Sequence, residues 1–216
     1  PAQGAGKKTG FHHLVFLVVV HFATYLTGLY FRQFAEEKIS ASAHAFLPAV
    51  FGLIALILVL KAFSERQHAR LSWVLVILNH FWVALAVSYN EHFDFFQVYI
   101  YLSGVLVAGI GGLWVLNWLK KTEIVTLHRF HGHVYEHPTA ALLFFICCLA
   151  LSGFPISPTF IGEDLIFSHI HENQILLASF VALSFILNGL AIMRIYARVF
   201  LGPHIKNYHS IAYRSS

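Results

Sequence analysis

The chain has 216 residues, of which 58% are hydrophobic and 11% are charged. Because soluble domains carry about 25% charged residues, this composition excludes an ordinary soluble domain and predicts an integral membrane protein. The formal net charge of +4 fits basic loops beside anionic lipid headgroups, and we expect no nucleic-acid partner.

Six apolar segments follow one another along the chain, each long enough to cross the roughly 30 Å core of a bilayer. They cover residues 11–31, 43–63, 71–89, 93–119, 139–170 and 174–201. We therefore predict an all-α, polytopic membrane helix bundle of about six spans. The membrane domain would cover residues 11–201, between a polar tail or loop end at 1–10 and a tail at 202–216.

Lysine and arginine fall almost entirely on one side of these six crossings. Only Arg32 and Lys38 fall on the other side, and Arg194 lies within the last span. Eleven fall on the first side: Lys7, Lys8, Lys61, Arg66, Arg70, Lys120, Lys121, Arg129, Arg198, Lys206 and Arg214. This bias places both termini in the cytoplasm, and we expect a bacterial inner membrane. Because the first residue is proline and no cleavable signal pattern precedes the first span, we expect this chain to be truncated, processed or a piece of a longer protein.

Two histidines fall near the middle of predicted spans. His21 is in the first span and His80, preceded by Asn79, is in the third. An ionisable group at this depth normally faces the bundle interior, where it can relay protons. The alternative for each is a neutral histidine hydrogen-bonded to a neighbouring helix, and this alternative is favoured for His21.

The connection between the fourth and fifth spans is rich in histidine, with His128, His131, His133 and His137 close together. His133 and His137 are four residues apart, a spacing that suits two metal ligands on one helix face. One interpretation is a membrane metalloenzyme of the hydroxylase or desaturase kind. The chain lacks the HxxHH boxes typical of such enzymes, so interfacial histidines without a metal are the favoured interpretation.

The fifth span contains the most informative feature of the sequence. Pro155 and Pro158 must break a helix here, because each removes a backbone donor and clashes with the preceding turn. Lipid tolerates such a break only where protein or a water-filled cavity covers it. Glu163 and Asp164 follow the break, and charged groups in this position are candidates for a proton pathway, as in transporters with discontinuous helices. The alternative is that both carboxylates only favour the start of the second half-helix.

Arg194 lies late in the last span, and Arg198 is one turn further along. Arg198 can extend to the interface. Arg194 is deeper and needs a partner or a backbone carbonyl, so we predict a structural anchoring role for it.

Two stretches resemble a known family. They are TAALLFFICCLALSGFPISPTFIGEDLIF at 139–167 and LNGLAIMRIYARVFLGP at 187–203. They are similar to the antiporter-like membrane subunits of respiratory complex I, and to relatives in Mrp-type antiporters and membrane hydrogenases. The similarity covers roughly residues 125–203. It implies that Glu163, in Phe160-Ile-Gly-Glu163, takes the place of the Lys or Glu at the outlet of a proton channel, with Asp164 following it.

The sequence departs from this family in three ways. The family's paired prolines are spaced out here as Pro155 and Pro158. The family normally has many more helices, in two inverted repeats, and this chain has room for only one repeat. The family's central lysine would fall near Ser103, and the fourth span contains no lysine.

The resemblance implies a proton-translocating or cation/proton antiporter-like subunit of a larger complex. Protons would pass by Glu163 at the broken helix, with His80 as a relay. The partners would be other membrane subunits, including a quinone-reducing or ion-coupled one, and the chain itself would be non-catalytic. We expect no cofactor, since no nucleotide, flavin or iron–sulfur motif is present. The metalloenzyme and a non-conducting scaffold subunit remain as alternatives.

Overall fold

The structure is a computed structural model that describes residues 3–34, 40–90, 95–155 and 157–203, without the side chains of residues 3–13, 41–44 and 95. Seven α-helices and no strands lie in these ranges. They are α1 (Gln3–Phe34), α2 (Ala41–Ser64), α3 (Ala69–Ser88), α4 (Phe95–Leu119), α5 (Pro138–Leu151), α6 (Pro158–Ser168) and α7 (Ile175–Phe200). The prediction of an all-α, polytopic membrane bundle is confirmed.

Five of these helices, α1 to α4 and α7, are long and apolar enough to cross a membrane. The helical backbone of α1 reaches Gln3, inside the segment predicted as a polar tail, whereas its candidate membrane span begins at Leu14. The remaining predicted crossing is divided between α5, with 14 residues, and α6, with 11. At 1.5 Å per residue they are about 21 Å and 17 Å long, so neither alone covers a core of about 30 Å.

The break between α5 and α6 is built as the two prolines predict. Pro158 is the first residue of α6, where the missing N–H costs nothing. Gly153 adopts a φ of 71°, which side-chain-bearing residues rarely tolerate. The Ser157 hydroxyl donates to the carbonyl oxygens of Ala150 (3.1 Å) and Phe154 (2.9 Å). Protein groups therefore satisfy backbone acceptors that the break leaves free, as a membrane interior requires.

Helix α3 lies at the centre of the bundle. It packs against α1, α2, α4 and α7, and 17 of its 20 residues are buried. A helix that is apolar all round and buried all round is typical of a large core or a membrane bundle. Any polar side chain on α3 is therefore held inside the protein, which applies to Asn79 and His80.

The ends of the helices and their loops form two opposite faces of the bundle, and hydrogen bonds show which ends lie together. On the first, the Leu127 N–H donates to the Arg66 carbonyl (2.9 Å) and Arg70 donates to Asn117 (2.9 Å). This basic face carries the described residues Lys61, Arg66, Arg70, Lys120, Lys121, Arg129 and Arg198. Arg32 is the one described basic side chain on the opposite face, where it donates to the carbonyl oxygen of Ser88 (2.8 Å). The described residues thus follow the predicted charge separation; Lys38, Lys206 and Arg214 lie outside them, and the side chains of Lys7 and Lys8 are not described.

Candidate functional site

The centre of the bundle holds a chain of buried polar side chains around His80. Its Nδ1 lies 2.6 Å from the Tyr101 hydroxyl on α4, and its Nε2 lies 2.6 Å from Nδ2 of Asn188 on α7. His80 and Tyr101 are fully buried and Asn188 is 2% exposed. Three helices therefore bring one hydrogen-bonded chain to the interior, which we call the His80 cluster.

The hydrogen bonds of the His80 cluster fix the direction of its donors. An amide Nδ2 can only donate, so Nε2 of His80 accepts from Asn188. In the neutral ring the proton is then on Nδ1, which donates to the oxygen of Tyr101. The hydroxyl proton of Tyr101 remains available for another acceptor. The chain therefore runs from Asn188 through His80 to Tyr101.

A second buried polar group lies one residue along α3. The Asn79 side chain donates to the Ala55 carbonyl on α2 (2.8 Å) and contacts the Ser184 hydroxyl on α7. Asn79 and Ser184 are both fully buried. Buried polar groups are costly without a partner, and these contacts supply partners for Asn79. They also join α2, α3 and α7 beside the His80 cluster.

Glu163 reaches this region from the broken helix. It follows Gly162, which lies so close to α4 that an added Cβ would be 2.6 Å from the Cα of Tyr101. Its carboxylate packs beside Gly153 in the break, where an added Cβ would lie 2.7 Å from the carboxyl carbon. Glu163 is half-buried, and the residue before it packs against the backbone of Tyr101. The break thus places a carboxylate one residue from the contact between α6 and Tyr101.

Several buried oxygen atoms near these helices have no hydrogen-bond partner among the described residues. They are Oδ1 of Asn79, Oδ1 of Asn188, Oε1 of Gln97 and Oγ1 of Thr159. Thr159 lies against Gly104 of α4, near Tyr101 in sequence. An unpaired buried polar atom costs about 1–3 kcal/mol, so four of them on α3, α4, α6 and α7 are unusual in a region that serves only for packing.

The other predicted pathway residues lie apart from the His80 cluster. Asp164 is exposed on α6, although it is next to Glu163 in sequence. His21 uses Nδ1 to bond the Leu17 carbonyl of its own helix (2.9 Å), and its ring meets Trp82 edge-on at 6.1 Å. His21 therefore has the local partner that the alternative interpretation requires, while its role in a pathway stays a prediction.

Arg194 has the contacts expected of an anchor. Its guanidinium donates to the Glu65 carbonyl just beyond the end of α2, and it lies 5.4 Å from the centre of the Phe63 ring. These contacts tie the last part of α7 to the end of α2, while the structural role of Arg194 stays a prediction.

The histidine-rich loop makes several separate hydrogen bonds. His131 Nε2 bonds the Thr126 carbonyl oxygen (3.1 Å), and His137 Nε2 lies 3.4 Å from Glu123. Burial, helped by the nearby His133 and Arg129, lowers the pKa of His131 to about 4, so this ring is neutral at physiological pH. Of the four predicted ligands, His133 alone belongs to the described group of side chains that could hold a metal, and its companions there are Glu123 and Glu136.

Comparison with known proteins identifies the family. The sequence model of the family described as NADH:quinone oxidoreductase/Mrp antiporter, TM, matches residues 69–188. This chain belongs to that family. The matched segment begins with α3 and ends at Asn188, so it contains His80, Tyr101 and Glu163 as well.

Two individual relatives support the membership in the antiporter-like family. The NADH-ubiquinone oxidoreductase chain 4 proteins of Dictyostelium citrinum and Dictyostelium discoideum are each 38% identical to this chain over 80 residues, or 37% of its length. These 80 residues are 19% of the first relative and 14% of the second. The chain therefore matches only a small part of either relative.

Three residues of the site were not predicted from the sequence: Tyr101, Ser184 and Asn188. Tyr101 is two residues from Ser103, the position where the family's lysine was expected. Ser103 itself is exposed and bonds only the Ile100 carbonyl of its own helix (2.7 Å). Asn188 carried a signal in the sequence, because an amide within a long apolar segment normally faces the bundle interior.

Proposed function

We propose that this chain is a proton-conducting subunit of a larger NADH:quinone oxidoreductase-like or cation/proton antiporter-like membrane complex. The observation that carries the proposal is the buried chain from Asn188 through His80 to Tyr101, with Glu163 next to the contact between α6 and Tyr101. Membership in the antiporter-like family gives the same class of function. Buried ionisable groups in a membrane protein are by default candidates for a functional pathway.

In this proposal Glu163 is the exchangeable terminal station. A carboxylate in an apolar environment is costly to ionise, so it can accept a proton from the Tyr101 side and release it towards the break. His80 would relay the proton, because its ring can be protonated on one nitrogen and deprotonated on the other. Water bound to the unpaired oxygens of Asn188 and Thr159 would complete the connections.

The energy source and the remaining channel parts would come from partner subunits. The chain matches only a small part of the relatives, and its helix α4 contains no lysine. We propose neighbouring membrane subunits as partners, one of them coupled to quinone reduction or to an ion gradient. We also propose that the basic face is cytoplasmic, since basic loops remain on the side from which a protein inserts; a bacterial inner membrane stays a prediction.

Replacing Glu163 by glutamine tests the proposal. The variant keeps the size of the side chain and removes its ability to exchange a proton. The complex should be assayed in inverted membrane vesicles, with proton translocation followed by quenching of a pH-sensitive dye and subunit content followed on the same vesicles. We expect translocation to fall at least about tenfold, which corresponds to a barrier increase of about 1.4 kcal/mol.

Asp164→Asn is the matched control, since it removes the same charge from the next residue, which is exposed. We expect this variant to retain most of the translocation, and it tests the predicted contribution of Asp164 at the same time. If Glu163→Gln assembles normally and pumps as well as the unmodified complex, the chain is the non-conducting scaffold and the proposal is wrong.

A further inference from the structure

Three side chains that could bind a metal meet in the connection between α4 and α5. Glu123 follows the end of α4, and His133 and Glu136 precede α5. Each offers one ligand atom, and these atoms all lie within 4.8 Å of one another. The group is on the basic face, separate from the His80 cluster.

The hydrogen bond of His133 prepares its ring for a metal. The side chain is buried, with the residue 7% exposed, and its Nε2 lies 3.0 Å from the Ile124 carbonyl oxygen. A carbonyl can only accept, so Nε2 carries a proton, and in the neutral ring Nδ1 is left with a free lone pair. Metal-binding histidines are typically held in this way, with the second ring nitrogen donating to a carbonyl or carboxylate.

The free nitrogen of His133 faces a carboxylate. Nδ1 lies 3.7 Å from Oε2 of Glu123, which is beyond hydrogen-bond distance. A neutral ring nitrogen and a carboxylate that face each other as two acceptors repel unless a proton on Nδ1 or a metal ion lies between them. A tetrahedral zinc ion, with ligands at about 2.0–2.2 Å, separates two ligand atoms by roughly 3.4 Å, close to the distance observed here.

The surrounding backbone holds this loop in place. The N–H groups of His131, Gly132, His133 and Val134 donate to carbonyls of Arg198, Leu201, Val199 and Phe200, at 3.0 to 3.4 Å. His133 is therefore fixed against the end of α7. His137 lies beside the group, since its Nε2 is 3.4 Å from Oε1 of Glu123.

We propose that Glu123, His133 and Glu136 bind a divalent transition metal of the zinc type. Two carboxylates and one imidazole are a donor set that suits zinc and related metals. The metal would join the end of α4 to the start of α5 and so fix the half-helix that leads to the break. This role is structural and does not depend on proton conduction by Glu163.

Cobalt(II) is the probe, because its visible absorption bands report a tetrahedral site directly. The purified protein in detergent, within its complex, should be titrated with Co²⁺ and then with Zn²⁺. We expect one Co²⁺ per chain with intense tetrahedral bands that Zn²⁺ abolishes, and a rise in the unfolding temperature on adding Zn²⁺. Glu136→Gln and Glu123→Gln should each weaken Co²⁺ binding at least tenfold.

Glu136 is exposed, so the Glu136→Gln variant should fold normally. It keeps the test valid even where variants of the buried His133 fail to fold. His128→Ala and Glu172→Gln are the controls, one from the same loop and one from the opposite face, and both should bind Co²⁺ like the unmodified protein. The proposal is overturned if no tetrahedral bands appear, if Glu136→Gln binds Co²⁺ normally, or if His128→Ala and His131→Ala abolish binding while the glutamate variants do not.

Discussion

The contact between His80 and Tyr101 is the part of the site on which the proposed pathway most depends. Both side chains are fully buried, so bulk water cannot replace either hydrogen-bond partner when the other is removed. Tyr101→Phe removes only the hydroxyl. We expect proton translocation to fall at least about tenfold, and stability to fall by about 1–3 kcal/mol because Nδ1–H of His80 loses its acceptor. Dye quenching in vesicles and thermal unfolding in detergent measure the two effects.

Tyr99→Phe is the control for this change, because Tyr99 lies on the same helix and is 58% exposed. It should leave both translocation and unfolding temperature unchanged. Equal behaviour of the two variants would show that the Tyr101 hydroxyl takes no part in the pathway.

Glu65 gives a prediction about pH. Burial raises its pKa, but hydrogen bonds from the backbone N–H groups of Gln67 and His68, helped by the His68 ring, outweigh burial and leave the pKa below its usual value. A carboxylate with a lowered pKa in the folded state stabilises the protein above its unfolded pKa of about 4.3, and this contribution disappears as pH falls through the folded value.

Glu65→Gln should therefore lower stability at pH 7, by about 1 kcal/mol as for a weakened hydrogen bond, and should make no difference at the acid end. Thermal unfolding of both proteins between pH 7 and pH 3 measures this difference. A gap between the two proteins that widens as pH falls would contradict the assigned direction of the pKa.

At the scale of helices, the contact between α4 and α6 controls how close Glu163 comes to Tyr101. Gly162 and Gly104 let the two helices approach, since an added Cβ at Gly162 would be 2.6 Å from the Cα of Tyr101. Gly162→Ala must push α6 away, and overpacking of this kind costs about 1–3 kcal/mol. We expect lower thermal stability and reduced translocation.

Gly189→Ala on α7 is the matched control, because an added Cβ there meets nothing within 4 Å. Its thermal stability should match or slightly exceed that of the unmodified protein, since alanine is a better helix former than glycine. If Gly162→Ala were as stable and as active as Gly189→Ala, the close approach of α4 and α6 would not be needed.

Hydropathy and proline positions predicted the helices and the break well, because both act locally along the chain. The predicted spans and the discontinuity at Pro155 and Pro158 are present as α1 to α7. The partners of His80 could not be predicted, because they depend on how α3, α4 and α7 rotate about their axes. A helix that is apolar on every side has no polar face from which to read that rotation. For the same reason the sequence did not predict Tyr101. Ser103 was named only from the resemblance to the family, as the position of its central lysine.

At the scale of the whole molecule, the described residues place most basic side chains on one face of the bundle and only Arg32 on the opposite face. The basic face gathers the ends of α2, α4 and α7, and Arg194 fastens α7 to the end of α2. On the opposite face Asn90 links the end of α6 to the loop before α7, since it donates to the His169 carbonyl and accepts from Gln174, both at 2.8 Å. Each face is thus held together by its own polar contacts, and the two faces can be distinguished by labelling.

Arg129→Cys on the basic face and Glu172→Cys on the opposite face test the orientation. Both positions are exposed, and the native Cys147 and Cys148 lie within α5. Since basic loops stay on the cytoplasmic side, a membrane-impermeant maleimide should label the cysteine at 129 only in inside-out vesicles and the one at 172 only in right-side-out vesicles. The unmodified chain measures background labelling of the native cysteines. Labelling of both positions from one side would contradict the six-crossing arrangement, and the reverse pattern would place the basic face outside.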